Sequence, residues 1–165
     1  MANISTFVLG RRALFAGLMA VAYSASAADN QPGTQKSAPP SPRQNRIMKI
    51  RLMVEDTVMA TGTLDDNESA RQFLALLPLS LVLKDYAATE KVADLPDRLS
   101  TKGAPDGYKP LAGDIAYYAP WGNLAIFHKD FGYSSGLVRL GRLDSGLDAM
   151  RRPGQVIVKV EVALP

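Results

Sequence analysis

The chain has 165 residues, no cysteine and one histidine, with 19 Lys and Arg against 16 Asp and Glu. The lack of cysteine excludes thiol catalysis, thiolate-held metals and disulfide staples, so a folded domain must be held by its core alone. The net charge of +3 resides outside residues 47–165, which carry 14 basic and 15 acidic side chains. A near-neutral domain lacks the cationic footprint of a nucleic-acid binder.

The N-terminus has the order of a removable export signal. Arg11-Arg12 precede the apolar run Ala13–Ala22, and Ala25-Ser26-Ala27 is a small-x-small cleavage site. Residues 1–27 are therefore read as a signal peptide, with the periplasm or the exterior as destination. The apolar run is about half the ~20 residues needed to cross a bilayer. A retained membrane helix and a true start at Met48 are the alternatives. The paired arginines fit a twin-arginine route as well as the general one. After signal removal no membrane association is expected. Residues 28–46 hold Pro32, Pro39, Pro40 and Pro42 and no large apolar side chain from Asp29 to Asn45. Ordering a backbone costs ~1–2 kcal/mol per residue, which this composition cannot offset. A disordered proline-rich linker is favoured over a proline-rich ligand motif.

The domain begins with Ile47–Val54, where Ile50, Leu52 and Val54 alternate with Lys49, Arg51 and Met53. Glu55-Asp56 is a hairpin turn leading to a second strand, Thr57–Leu64. Its core face is Val58, Ala60, Gly62 and Leu64, with Gly62 marking a bulge or a close approach. Asp66 or Asn67 caps a helix over about 68–76, with Ala70, Phe73, Leu74 and Leu77 as its apolar stripe and Pro78 as its stop. Leu79–Tyr86 is a third strand. Glu90–Leu99 is a short amphipathic turn or an irregular edge, broken by Pro96. Residues 100–113 are a surface excursion with a turn at Pro105-Asp106-Gly107. Strands follow at Asp114–Tyr118, Leu124–Lys129 and Leu137–Leu143. Leu147–Met150 can form a helical turn. Val156–Val162 then gives the clearest alternation in the chain. Seven strands at short spacing with one clear helix predict a mainly β fold, a small barrel closed by antiparallel pairing.

The densest chemistry lies in residues 117–128, which hold Tyr117, Tyr118, Trp121, Asn123, Phe127 and His128. Alternation sends the two tyrosines to opposite faces. One of them with Trp121 lines a pocket at a barrel mouth, or Trp121 and a tyrosine plug a barrel end. His128 has Asp130 and Asp114 as possible partners but no nucleophile motif, so an ordinary strand position is favoured over ligand contact or acid–base work. Lys84-Asp85-Tyr86 with Glu90-Lys91 rim a cleft together with Lys102, or form a solvated edge. One histidine and scattered carboxylates argue against a transition-metal centre, and helix capping accounts for Asp66 better than calcium does. No metal or cofactor is expected. Arg139, Arg142, Arg151 and Arg152 are the only basic cluster and lack interleaved aromatics.

The run LDDNESARQFLALLPLSLVLKDYAATEKVADLP, residues 64–96, resembles the opening half of the bacterial cyclophilin-like domain family. GDIAYYAPWGNLAIFHKDFGYSSGLVRLGRLDSG, residues 113–146, resembles its second half, and the likeness spans about 47–162. It implies a closed cyclophilin-type barrel of unassigned function. True cyclophilins isomerise X–Pro bonds with an arginine close to a phenylalanine and an aromatic groove. Here the segment with Phe127 and His128 offers no arginine, and the isomerases' Asn-Gly-Ser-Gln-Phe run is missing. Arg51, on the first strand, is the candidate to reach a pocket in its place, with Lys84 as another substitute. The leading expectation is a barrel that binds a small molecule or peptide through Tyr117, Tyr118, Trp121, Asn123, Phe127, His128 and Arg51. A weak prolyl isomerase and a non-catalytic interaction module are the alternatives.

Overall fold

Valine and leucine alternation in short strands forces a sheet with one dry side, and here the sheet shuts on itself. The computed structural model describes residues 48–163; the expected signal peptide (1–27) and linker (28–46) lie outside the described residues. Strands β1 (Met48–Val54), β2 (Thr57–Leu64), β3 (Leu79–Tyr86), β4 (Glu90–Asp94), β6 (Asp114–Tyr118), β7 (Asn123–Phe127), β9 (Leu137–Ser145) and β10 (Val156–Val162) form the barrel. Their order round the wall is β1-β10-β3-β4-β7-β6-β9-β2, and every pairing is antiparallel. A small second sheet pairs β5 (Gly107–Tyr108) with β8 (Ser134–Ser135). The mainly β, closed-barrel expectation holds. So does the clear helix, α1 (Glu68–Leu76), and α2 (Leu147–Met150) adds one turn.

The interior is filled by Ile50, Leu52, Leu81, Leu83, Ile115, Leu124, Ile126, Leu140, Val158 and Val160, all at most 5% exposed. Helix α1 adds Ala70 and Phe73 to this core, and α2 adds Met150. Asn67 is the cap: its Oδ1 accepts from the Ala70 amide at 2.8 Å, and its Nδ2 donates to the Arg139 carbonyl at 2.9 Å. One side chain thus ends the helix and ties it to β9.

Two strand expectations are corrected, those for Val58 and for Glu90–Leu99, and the reading of Gly62 as a bulge or close approach holds. Val58 is 48% exposed because the β1–β2 register shifts after Leu52, and Met59 turns to the core in its place. Gly62 sits beside a second shift, opposite β9, where a Cβ would lie 2.9 Å from Ile115 Cδ1. Glu90–Leu99 is not an edge: its first half is β4, paired on both sides within the wall. Its alternation is hidden because Lys91 points inward and is 1% exposed. The Lys91 ammonium donates to the Gly154 carbonyl at 2.5 Å and pairs with Asp85 at 2.5 Å. Asp85 also accepts the Gly154 amide at 2.5 Å. The hydrogen bond from Lys91, then that from Gly154, holds the Asp85 carboxyl below its usual range. A buried ammonium is tolerable only when paired and hydrogen-bonded in this way.

Asn67→Ala loses both the cap and the tie to β9, and a loss of about 1–2 kcal/mol is expected in urea denaturation. Asn67→Asp keeps the capping oxygen and should recover part of that loss. Equal stability of Asn67→Ala and wild type would contradict the assignment.

Candidate functional site

The strands β4, β7, β6 and β9 bury apolar groups on both faces. On β7, Leu124 and Ile126 enter the barrel core, while Ala125 and Phe127 join a separate cluster outside the wall. On β6, Ile115 and Tyr117 go in and Ala116 and Tyr118 go out. On β9, Val138 goes in and Leu137 out. The outer cluster also takes Val92 from β4 and Tyr108 from β5. The segments after β4 and β7 are laced together beside it: the Gly136 amide donates to the Asp106 carbonyl at 2.7 Å, and the Phe131 amide to the Pro110 carbonyl at 3.1 Å.

This arrangement leaves a cavity of about 170 Å³ on the outer face. Phe127, Ala125, Val92 and Leu137 supply its apolar lining, with Asn123 and Ser134 as neutral polar groups. Tyr86, Tyr118, Trp121 and Phe131 add rings. Trp121 meets Tyr86 and Tyr118 with centroids 5.4 Å apart in each case and interplanar angles of 89° and 79°. Phe127 and Phe131 lie near-parallel at 6.3 Å. Trp121 is 57% exposed. It can be exposed because Gly122, at φ +76°, turns the chain back at once and the Gly122 amide donates to the Tyr118 carbonyl at 2.9 Å.

Of the seven residues singled out by sequence, four line this cavity: Tyr118, Trp121, Asn123 and Phe127. The other three do not. Tyr117 is a core plug, 1% exposed, whose hydroxyl accepts the Leu99 amide at 3.2 Å. His128 is 6% exposed and lies off the cavity; burial, then Lys129 and Lys91, disfavours its charged form. Arg51 pairs with Glu161 at 2.9 Å on β1, on the opposite side of the wall in strand order. The expected place is corrected as well. The cavity is on the barrel's flank, not at its mouth, since its strand residues are those that alternate away from the interior.

Sequence reasoning placed Tyr86 and Glu90 near a cleft rim but gave the carboxylate no role. The register pairs Tyr86 with Glu90, and both face the cavity. Among the described residues, Glu90 is the only charged one lining it. Burial alone pushes its pKa up to about 7. The turn joining the two residues is strained: Ala87 and Ala88 have φ of +47° and +54°, a region that favours glycine or asparagine. Lys84 and Lys102, also expected at this rim, are not among the lining residues.

A model of the Cyclophilin-like family matches residues 52–161. The chain belongs to the cyclophilin-like family. A solution structure of a hypothetical protein from Archaeoglobus fulgidus is similar at 20% identity and a TM-score of 0.48, over 71% of this chain and 95% of that one. No curated protein matches the chain significantly. Among the described residues of this cyclophilin-like barrel, no arginine or lysine lines the cavity.

Trp121→Ala removes an exposed ring and should change stability by no more than about 0.5–1 kcal/mol, whereas Tyr117→Ala empties core volume and should cost about 3–5 kcal/mol. Thermal or urea unfolding of the two variants checks this contrast. Replacing Ala87 by Asn and Ala88 by Gly relieves the turn and should stabilise by roughly 1–2 kcal/mol. Glu90 has a folded pKa above its unfolded value, so its neutral form favours folding below about pH 4.5, and this contribution is lost as pH rises through about 7. The stability of wild type relative to Glu90→Gln should therefore fall across that window; a flat difference would contradict the burial of the carboxyl.

Proposed function

We propose that this cyclophilin-like domain is a binding module whose flank cavity takes the head group of a small molecule or one side chain of a peptide. The observation that carries the reading is the preformed ring cluster: Trp121 meets Tyr86 and Tyr118 in edge contacts near right angles, beside an apolar lining of Phe127, Ala125 and Leu137. Rigid aromatic surface offers contact area at low entropy cost. Pockets for drug-sized ligands measure about 300–1,000 Å³, so a cavity of about 170 Å³ suits a part of a ligand, with the remainder lying on the exposed Trp121, Tyr86 and Phe131.

Prolyl isomerisation is the less supported reading. The barrier to peptide rotation is ~18–20 kcal/mol, and a fixed cationic donor at the prolyl nitrogen or its neighbouring carbonyl is the group that would lower it. Among the described residues none lines the cavity, and Arg51, the substitute expected from sequence, is engaged with Glu161 elsewhere. We also propose, from the N-terminal sequence, that the module works outside the cytoplasm.

A fragment survey by NMR on the full chain tests the binding reading. Hits should shift the Trp121 indole and the Asn123 side-chain amide together, and Trp121→Ala should abolish them while the fold persists. In a coupled proline-isomerisation assay the protein should be inactive. Turnover that Trp121→Ala removes would instead favour the enzyme.

A further inference from the structure

The flank cavity is built from groups that attract positive charge. Tyr86, Trp121 and Tyr118 all line it, with Trp121 in edge contact with both tyrosines, and each ring has an electron-rich face. Among the described residues Glu90 supplies the one formal charge in the lining, and it is negative. A half-buried carboxylate is normally matched by a cation, as Asp85 is by Lys91. Glu90 has no such match: among the described residues it makes no ion pair, and no charged neighbour contributes to its raised pKa. On the same face, Tyr86 stands opposite it on β3 and Phe127 opposite it on β7, while Asn123 and Phe131 complete the lining around it. Lys84 lies two pairs further along β3, opposite Val92, and makes no ion pair with Glu90. Tyr108 feels the carboxyl's charge from the outer cluster.

We infer that the flank cavity selects an organic cation, with an alkylammonium or quaternary ammonium head group seated among the three rings and against Glu90. The inference rests on the reading of this cavity as a ligand site. An anion would meet the Glu90 carboxylate, and a neutral group would hold Glu90 in its protonated form, so only a cation uses the carboxylate's charge. A head group carrying its charge on small alkyl substituents satisfies the rings and the carboxylate together, and its size fits the small volume.

The chain's one tryptophan is on this rim, so its fluorescence reports the site. The full chain is titrated with choline and, separately, with the uncharged carbon isostere in which a tert-butyl group replaces trimethylammonium. At pH 8, choline should bind about tenfold or more tightly than the isostere. Its own charge does not titrate, so protonation of Glu90 should shrink that preference roughly tenfold on going to pH 5.5. Glu90→Gln, with its fold checked by circular dichroism, should shrink the preference at pH 8 to the wild-type value at pH 5.5 and remove its change with pH, leaving what the rings alone supply. The pH profile of the wild-type protein keeps the test decisive should that variant fold poorly. Equal binding of choline and the isostere, at both pH values, would overturn the inference while leaving the cavity as a site for apolar groups. Silence of the tryptophan toward both would overturn the inference, and the fragment survey would then decide whether the cavity reading falls with it.

Discussion

A strand in a closed barrel has one face that must be dry, but β7 has two. Leu124 and Ile126 are sealed inside the wall, while Asn123, Ala125 and Phe127 are sealed against the outer cluster, and all five are at most 4% exposed. Interior packing fixes where the outer set points, because successive side chains of a strand alternate strictly. The same constraint acts through the register. Phe127 opposes Glu90, and Glu90 opposes Tyr86, so three neighbouring strands deliver a ring, a carboxyl and a ring to one patch of the flank. A one-residue slip of β4 would put Lys91 in the cavity and Glu90 in the core.

This coupling separates stability from recognition. The barrel is held by its interior leucines, isoleucines and valines and by Tyr117, none of which the cavity needs to expose. The cavity adds groups that a stability-only surface would avoid: Trp121 in solvent, a carboxyl half removed from water, and two alanines in left-handed backbone next to it. Strained backbone, a desolvated carboxyl and an exposed ring coincide at this place on the wall, and that coincidence is what supports the proposed ligand site.

The barrel was legible because its strands carry the period of two in plain form, above all Val156, Val158 and Val160 against Ile157, Lys159 and Glu161. The helix was legible through its cap and its stop. Half of the site was legible as a concentration of rings between Tyr117 and His128. The flank position was harder, although the run Leu124-Ala125-Ile126-Phe127 has no polar alternate and so signals burial on two faces. Strand β4 was hidden because its inward residues are Lys91 and Ala93, and an internal lysine reads as a surface one until Asp85 and Gly154 are seen to hold it. Glu90 was hidden for the same reason, since its meaning comes from the strand on either side and not from its neighbours in sequence. Arg51 and His128 were drawn in by chemical type, and the register puts each of them elsewhere.

Native-state hydrogen exchange tests the two-sided burial of β7 most directly. The amides of Leu124, Ala125 and Ile126 should exchange only through global unfolding, and more slowly than those of Ile157 and Lys159, whose strand shows one face to water. If the β7 amides exchanged as fast as those of β10, by local opening, the outer cluster would not be a packed layer, and the flank cavity would lose the wall on which it is built.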